Sequence, residues 1–155
     1  MDDSSDEPRL AREHWDEAAA AREVGGHRGW LDSALVLEEV FQPRAADDPR
    51  KNWLIALSER LALPPGSRWL SLGCGTAGHE LLAVRLGLCS AMEAVDLSPV
   101  SLEIARAAAA REGLENITFR QDDLNRIVLP AGGFDVVLMN MSLHHVAKLE
   151  RLLDE

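Results

Sequence analysis

The stretch that most constrains the fold covers residues 69–81 and reads W-L-S-L-G-C-G-T-A-G-H-E-L. An apolar run precedes Gly73, Gly75 and Gly78, and helical spacing follows them. This order predicts a strand, a tight glycine turn and a helix N-terminus, as in nucleotide-binding α/β units. Glycine permits the backbone angles and the close ligand approach of such a turn, and the first helical N–H groups favour a negative charge. An ordinary strand-to-helix turn has the same pattern, so this stretch alone leaves both interpretations open.

From residue 67 onward, strand-like and helix-like segments alternate along the chain. Ser98 and Pro99 are typical of an N-cap and a first helical residue, and Gly113 is typical of a helix stop. This alternation predicts an α/β fold, with a parallel sheet covered by helices and ligands bound at the carboxyl ends of the strands. The predicted strands are residues 68–73, 91–96, 116–120 and 134–140, and the predicted helices are residues 77–86, 99–112 and 147–153.

Residues 1–65 carry a different pattern, which we interpret as an acidic tail followed by a helical cap. The tail covers residues 1–8, and residues 9–24 and 31–41 have the composition or spacing of helices. We expect this cap to cover the mouth of a ligand pocket, where Trp15 and Trp30 could either close over the ligand or pack in the core. A third helix is predicted to be capped by Asp47-Asp48-Pro49 and to bury an apolar stripe of Trp53, Leu57 and Leu61.

Composition limits the possible partners. The 155 residues, 46% hydrophobic and 27% charged, are typical of a soluble domain with a core. The formal net charge of -10 argues against a nucleic-acid backbone as the main partner. No apolar run approaches the roughly 20 residues of a membrane helix, and the acidic start is unlike a signal peptide, which predicts a cytoplasmic protein. Cys74 and Cys89 are too few for a metal site, and we expect both to be reduced thiols.

Polar residues follow two of the predicted strands where a nucleotide would bind. Asp96 ends the second strand, 18 residues after Gly78, and a carboxylate there can accept both hydroxyls of a ribose. Asp96 could instead cap the next helix, although Ser98 suits that role better. After the third strand, Asp122 or Asp123 could accept the exocyclic amino group of adenine, unless this acidic loop is simply solvated.

Four motifs in this order resemble the successive motifs of Rossmann-like (class I) S-adenosylmethionine-dependent methyltransferases, most closely the small-molecule branch. The resemblance covers about residues 66–155. It implies a three-layer α/β fold with a parallel sheet of strand order 3-2-1-4 and an N-terminal helical cap, and it makes residues 66–155 the domain that binds S-adenosylmethionine. The motifs are Leu72-Gly73-Cys74-Gly75-Thr76-Ala77-Gly78, Val95-Asp96-Leu97-Ser98-Pro99, Asp122-Asp123-Leu124, and Phe134-Asp135-Val136-Val137-Leu138-Met139-Asn140 with Leu143-His144-His145.

The resemblance also implies roles for individual residues. Gly73, Cys74 and Gly75 would hold the methionine part of the cofactor, and Ser71 stands where the family usually carries an acid. A hydroxyl at that position can hydrogen-bond but offers no charge to the cofactor's ammonium. On the adenosine side, Asp96 would contact the ribose, Leu97 would lie against the adenine, and the adenine edge would be bound by Asp123 with its neighbours Asp122 and Leu124. On the methyl side, Asn140 would stand beside the sulfonium.

Methyl transfer from a sulfonium needs mainly alignment and the exclusion of water. A base is required only if the acceptor must lose a proton, and His145 is our candidate, with His144 interpreted as a packing or helix-start residue. Asn140-Met141-Ser142-Leu143 lacks the N-P-P-Y pattern of methyltransferases acting on nucleic-acid or protein nitrogen. The sequence therefore predicts a small-molecule acceptor.

Two alternatives stay open. The family sheet normally has seven strands, and this chain ends about one helix after the fourth, so we expect a truncated methyltransferase. Such a chain could be a noncatalytic cofactor-binding fragment that gains its missing edge from another copy or another chain, through the apolar fourth strand. The glycines and Asp96 also fit a nicotinamide-dependent oxidoreductase, but that function requires a second nucleotide-binding half after the fourth strand.

Overall fold

The computed structural model describes residues 7–23, 48 and 51–154 of the chain. The helix predicted over residues 31–41 and Trp30 lie outside the described residues. The described helices are α1 (Glu7–Glu23), α2 (Trp53–Arg60), α3 (Gly78–Arg85), α4 (Pro99–Glu112) and α5 (Leu149–Leu153), and the strands are β1 (Arg68–Leu72), β2 (Ala91–Asp96), β3 (Ile117–Gln121) and β4 (Val136–Leu138).

The strands form one parallel sheet in the order β3-β2-β1-β4, which confirms the predicted topology. Trp69 of β1 is in register with Met92 of β2 on one side and with Val136 of β4 on the other. Because parallel neighbours require crossover connections, α3 links β1 to β2 and α4 links β2 to β3. All four strand ends that carry the predicted site therefore lie at the same edge of the sheet.

The core lies on both faces of β1, as the two-residue period of a strand requires. Trp69 is buried in one apolar cluster, together with Leu81 and Val84 of α3 and Ala105 of α4. The remaining apolar cluster contains Leu70 and Leu72 of β1, Val95 of β2, and Ile127, Val146 and Leu152 from the chain after β3. This arrangement of helix, sheet and helix is the predicted three-layer architecture.

The N-terminal predictions need two corrections. Helix α1 begins at Glu7, so the last two residues of the predicted tail are helical. Helix α2 is capped by Asn52, whose side chain accepts the N–H of Leu54, and not by the Asp47-Asp48-Pro49 segment. Its buried residue is Leu54. The predicted stripe residues Leu57 and Leu61 are 37% and 58% exposed, because α2 ends at Arg60 and two turns bury only one narrow face.

Strand β4 is shorter than predicted and forms an edge of the described sheet. It covers three residues where the apolar pattern predicts seven, and Val137 is 55% exposed. Three residues after the end of β4, Met141 adopts a φ of +60°, a left-handed conformation. A short 3₁₀ turn, Leu143–His145, follows and was not predicted. Within the described chain, no helix is long and apolar enough to cross a membrane.

Candidate active site

The glycine turn joins β1 to α3 and is anchored on the end of β2. The backbone N–H groups of Gly73 and Cys74 both donate to the carbonyl of Val95, at 2.8 and 3.1 Å. Gly73 and Gly75 have φ values of +76° and +54°, so both use the conformational freedom that glycine provides. Ala77, the N-cap residue of α3, is also left-handed, at φ +59°.

Asp96 connects this turn to the loop after β2. One carboxylate oxygen accepts the N–H of Gly75 at 2.7 Å, and the other accepts the N–H of Ser98 at 2.9 Å. Ser98 is the N-cap of α4, and its hydroxyl accepts the N–H of Ser101 at 3.0 Å, as the sequence predicts. Asp96 is therefore a half-buried carboxylate facing the glycine turn, and the cap of α4 does not depend on it alone.

The loop after β3 lies directly beside Asp96, whose carbonyl accepts the N–H of Asp122 at 3.1 Å. The Asp122 carboxylate accepts the N–H of Asp123 at 2.8 Å. Asp123 in turn accepts the backbone and side-chain N–H groups of Asn125 at 2.9 and 3.2 Å, which closes a local turn. The structure thus brings the two predicted adenosine loops together, and the choice of Asp123 for adenine stays a prediction.

The loop after β4 docks onto the glycine turn through Ser142, which sequence reasoning missed. The Ser142 hydroxyl, buried with the rest of its side chain, donates to the carbonyl of Leu72 at 2.5 Å. A Cβ added to Gly73 would lie only 2.4 Å from the Ser142 Cβ. Asn140, two residues earlier, is half-buried in this same loop. Leu124 also approaches Gly73, with its Cδ1 3.8 Å from that added Cβ.

Ser71 and Glu80, on the strand before the glycine turn and the helix after it, form a buried polar pair of which only Ser71 was predicted. Ser71 is 1% exposed, and its hydroxyl donates to the carboxyl of Glu80 at 2.7 Å. Glu80 is the third residue of α3 and is 3% exposed. Burial raises the pKa of Glu80 above its ordinary value, hydrogen bonds from Ser71 and the backbone oppose that rise, and the nearby Asp96 adds to it.

Both cysteines are free thiols that stay protonated. Burial raises the pKa of Cys74 far above its ordinary value, and the charges of Asp96 and Glu80 raise it further. Burial also raises the pKa of Cys89 to about 11. Neither thiol has the depressed pKa of a nucleophile. Among residues 7–23, 48 and 51–154, no cluster of His, Cys, Asp and Glu side chains is arranged to hold a metal ion.

Helix α1 bridges two of the strand-end loops. Asp16 accepts the hydroxyl hydrogen of Ser98 at the start of α4. One residue away, the Trp15 ring contacts the ring of His145 edge-on, with centroids 4.7 Å apart. Partial burial, together with the neighbouring His144 and His14, lowers the pKa of His145. The lowered pKa favours the neutral imidazole, the form a general base requires.

The side chain of Leu97 is half-buried after β2, and its carbonyl accepts the Gln121 side-chain amide at 3.2 Å. Trp53 packs against the core and contacts the His79 ring, with centroids 5.4 Å apart, as expected of a packing residue. The predicted cofactor residues therefore lie on four loops of one sheet edge. His145 lies on the fourth of these loops, below α1.

Comparison with known proteins identifies the family of this arrangement. A family described as a methyltransferase domain matches residues 70–155, more than half of the chain. Ajmaline N-methyltransferase of Rauvolfia serpentina is 29% identical over 94% of this chain and 47% of its own length. A 23S rRNA (uracil(1939)-C(5))-methyltransferase of Klebsiella pneumoniae is 34% identical over 76% of this chain and 28% of its own length. The chain thus spans less than half the length of each of these two relatives.

Among solved structures, an S-adenosylmethionine-dependent methyltransferase from Mesorhizobium loti superposes with a TM-score of 0.52 at 34% sequence identity. The match covers 60% of this chain and 42% of that one, and it agrees with the family match in the sheet domain. The chain therefore belongs to the methyltransferase-domain family, in its Rossmann-like, S-adenosylmethionine-dependent class.

Proposed function

We propose that the glycine turn, Asp96 and the loop after β3 bind S-adenosylmethionine, and that the protein transfers its methyl group to a small molecule. The observation that carries this proposal is the hydrogen-bonded junction at Asp96. Its carboxylate accepts the N–H of Gly75, and its carbonyl accepts the N–H of Asp122. One residue thus ties the methionine-side turn to the adenosine-side loop.

The residues present fit the cofactor. No atom lies within 4 Å of the position of a Cβ added to Gly75, so this side of the turn is open for close approach. Each carboxylate oxygen of Asp96 accepts one backbone N–H and keeps a second lone pair for a ribose hydroxyl. Gly73, in contrast, is covered by Ser142, so its role is to let the fourth loop approach the turn.

In the reaction, this chain's side chains position the reactants and exclude water. When bound, S-adenosylmethionine supplies a methyl group on a positively charged sulfur. Asn140 lies on the loop whose Ser142 reaches the turn, and the Trp15 ring of α1 contacts the ring of His145 edge-on. If the acceptor loses a proton, the neutral imidazole of His145 accepts it.

Two observations support a small-molecule acceptor. The net charge of -10 disfavours a polyanionic acceptor, and one relative is named for its action on ajmaline. Because another relative is named for an rRNA uracil, the assay includes RNA as a competing acceptor. Failure with small molecules and turnover on RNA would refute this part of the proposal.

The test of cofactor binding is calorimetric titration with S-adenosylhomocysteine and, separately, with NADH. We expect binding of the first and not the second, and a preference for NADH would refute the proposal. Asp96→Asn should weaken S-adenosylhomocysteine binding about ten- to a hundredfold, because hydrogen bonds to a charged group are worth roughly 1.5–3 kcal/mol. Asp135→Asn is the matched control, since Asp135 also accepts a backbone N–H, at 2.7 Å from Arg68, but at the opposite end of the sheet.

A second candidate function is a cofactor-binding unit that works only with a partner chain or a second copy. It is favoured by β4, which pairs only with β1 in the described part of the chain and leaves Val137 55% exposed. An exposed apolar edge favours pairing with another strand. Light scattering tests this candidate: association that Val137→Lys abolishes supports it, and a monomer that methylates unaided refutes it.

A further inference from the structure

Glu80 is a buried carboxyl that the proposed cofactor contacts do not use. It is 3% exposed, and its charge influences Cys74 inside the glycine turn. Its hydrogen-bonding partner is the Ser71 hydroxyl at 2.7 Å. In the described part of the chain, the ion pairs found join other residues, and none includes Glu80. A buried carboxylate without a cation is unfavourable, so the site gains if a positive charge arrives.

The position of Glu80 relates it to the methionine end of the site. Ser71 lies on β1 two residues before Gly73, and its hydroxyl brings no charge to this end of the strand. The Ser71 side chain instead hydrogen-bonds a carboxyl that enters from α3. Asp96 accepts the N–H of Gly75 inside the turn, and Glu80 is hydrogen-bonded to Ser71 just before it. Both carboxyls are near enough to raise the pKa of Cys74.

We propose that Glu80 is a cofactor-positioning residue. The Ser71 hydroxyl orients its carboxylate, and this carboxylate supplies, from α3, the negative charge that pairs with the ammonium of the cofactor's amino-acid end. This inference rests on the proposed function, since it requires the glycine turn to hold the methionine part. The competing explanation is purely structural. Glu80 lies in the first turn of α3, where any acid interacts favourably with the helix dipole.

Two ligands separate these explanations. S-adenosylhomocysteine carries the amino-acid end, whereas 5′-methylthioadenosine has the same adenosine and sulfur without it. We expect Glu80→Gln to weaken S-adenosylhomocysteine binding about tenfold or more and to leave 5′-methylthioadenosine binding unchanged. Glutamine keeps the shape and can still accept the Ser71 hydrogen bond, and Glu103→Gln on the exposed side of α4 is the matched control.

A second variant moves the charge back to the strand. Ser71→Asp combined with Glu80→Gln should recover much of the lost S-adenosylhomocysteine affinity, a rescue that a structural role would not produce. Equal weakening of both ligands by Glu80→Gln, or no weakening of either, would overturn the inference while leaving the proposed function standing. No S-adenosylhomocysteine binding by the unaltered chain would refute the proposed function, and this inference with it.

Discussion

Replacing the glycines of the turn one at a time by alanine tests the geometry of the site most directly. The structure assigns each glycine a different environment. Gly73 has φ +76° and an added Cβ would meet the Ser142 Cβ at 2.4 Å, Gly75 has φ +54° with no atom within 4 Å, and Gly78 has neither constraint. The three substitutions are chemically identical, so differences among them measure the surroundings.

The expected effects on the free energy of unfolding differ in size and sign. An alanine in the left-handed conformation destabilises the folded state by roughly 1–2 kcal/mol. Alanine also lowers the conformational entropy of the unfolded chain, which stabilises the folded state by about 0.4–1 kcal/mol. Gly75→Ala should therefore destabilise by about 1 kcal/mol. Gly73→Ala adds an overpacking cost of roughly 1–3 kcal/mol and should destabilise by about 2–4 kcal/mol. Gly78→Ala, at the first position of α3, should stabilise by about 0.5 kcal/mol.

Urea unfolding followed by circular dichroism measures these values, with an unchanged m value as the check on two-state behaviour. In a thermal melt, 1 kcal/mol corresponds to roughly 2–4 °C for a chain of this size. Ser142→Gly alone costs stability because it removes the buried hydrogen bond to the Leu72 carbonyl, so it is the reference for the double variant. In the Ser142→Gly background, the added cost of Gly73→Ala should fall to that of Gly75→Ala, since the clashing Cβ is gone. Equal costs for Gly73→Ala and Gly75→Ala would refute the close approach of Ser142.

Three further outcomes are expected. Asp16→Ala removes the hydrogen bond between α1 and the cap of α4, and it should lower the free energy of unfolding in urea by about 1 kcal/mol. Glu13→Ala is the control: it loses an exposed ion pair and should lower the free energy of unfolding by less than about 0.5 kcal/mol. Burial raises the pKa of Glu80 in the folded state above its unfolded value of 4.5, so the parent protein loses stability as the pH rises above 4.5. Glu80→Gln does not titrate and avoids this loss. In thermal melts, the stability of Glu80→Gln relative to the parent should therefore increase between pH 4.5 and pH 7. Cys74 and Cys89 should react with a thiol reagent at pH 8 only after urea unfolds the chain, and rapid labelling of the folded chain would contradict their raised pKa values.

Local patterns in the sequence account for much of the fold. The apolar run before Gly73, the serine at position 98 and the glycine at position 113 predicted β1, the cap of α4 and its end, and the structure confirms each. The strand order came from the family resemblance and is also confirmed. These features depend on neighbours within a few residues or on motifs in a fixed order, both of which a single sequence displays.

The rest depends on contacts between distant parts of the chain. Ser142 lies 70 residues from the carbonyl it binds, so no local pattern could reveal it. Glu80 resembles any acid in a first helical turn until the structure shows that it is buried against Ser71. Ala77 adopts a left-handed conformation at φ +59°, and because residues with a Cβ rarely do so, its residue type gives no sign of it.

The placement of β1 inside the sheet has a consequence for synthesis. Trp69 pairs with Met92, 23 residues later, but with Val136 only 67 residues later. The longer separation adds about 1 kcal/mol of loop-closure entropy. At a translation rate of about 5–20 residues per second, β4 is synthesised roughly 3–13 s after β1, and during that interval this edge of β1 has no partner strand. During that time the nascent chain exposes a strand edge that the folded sheet pairs with β4.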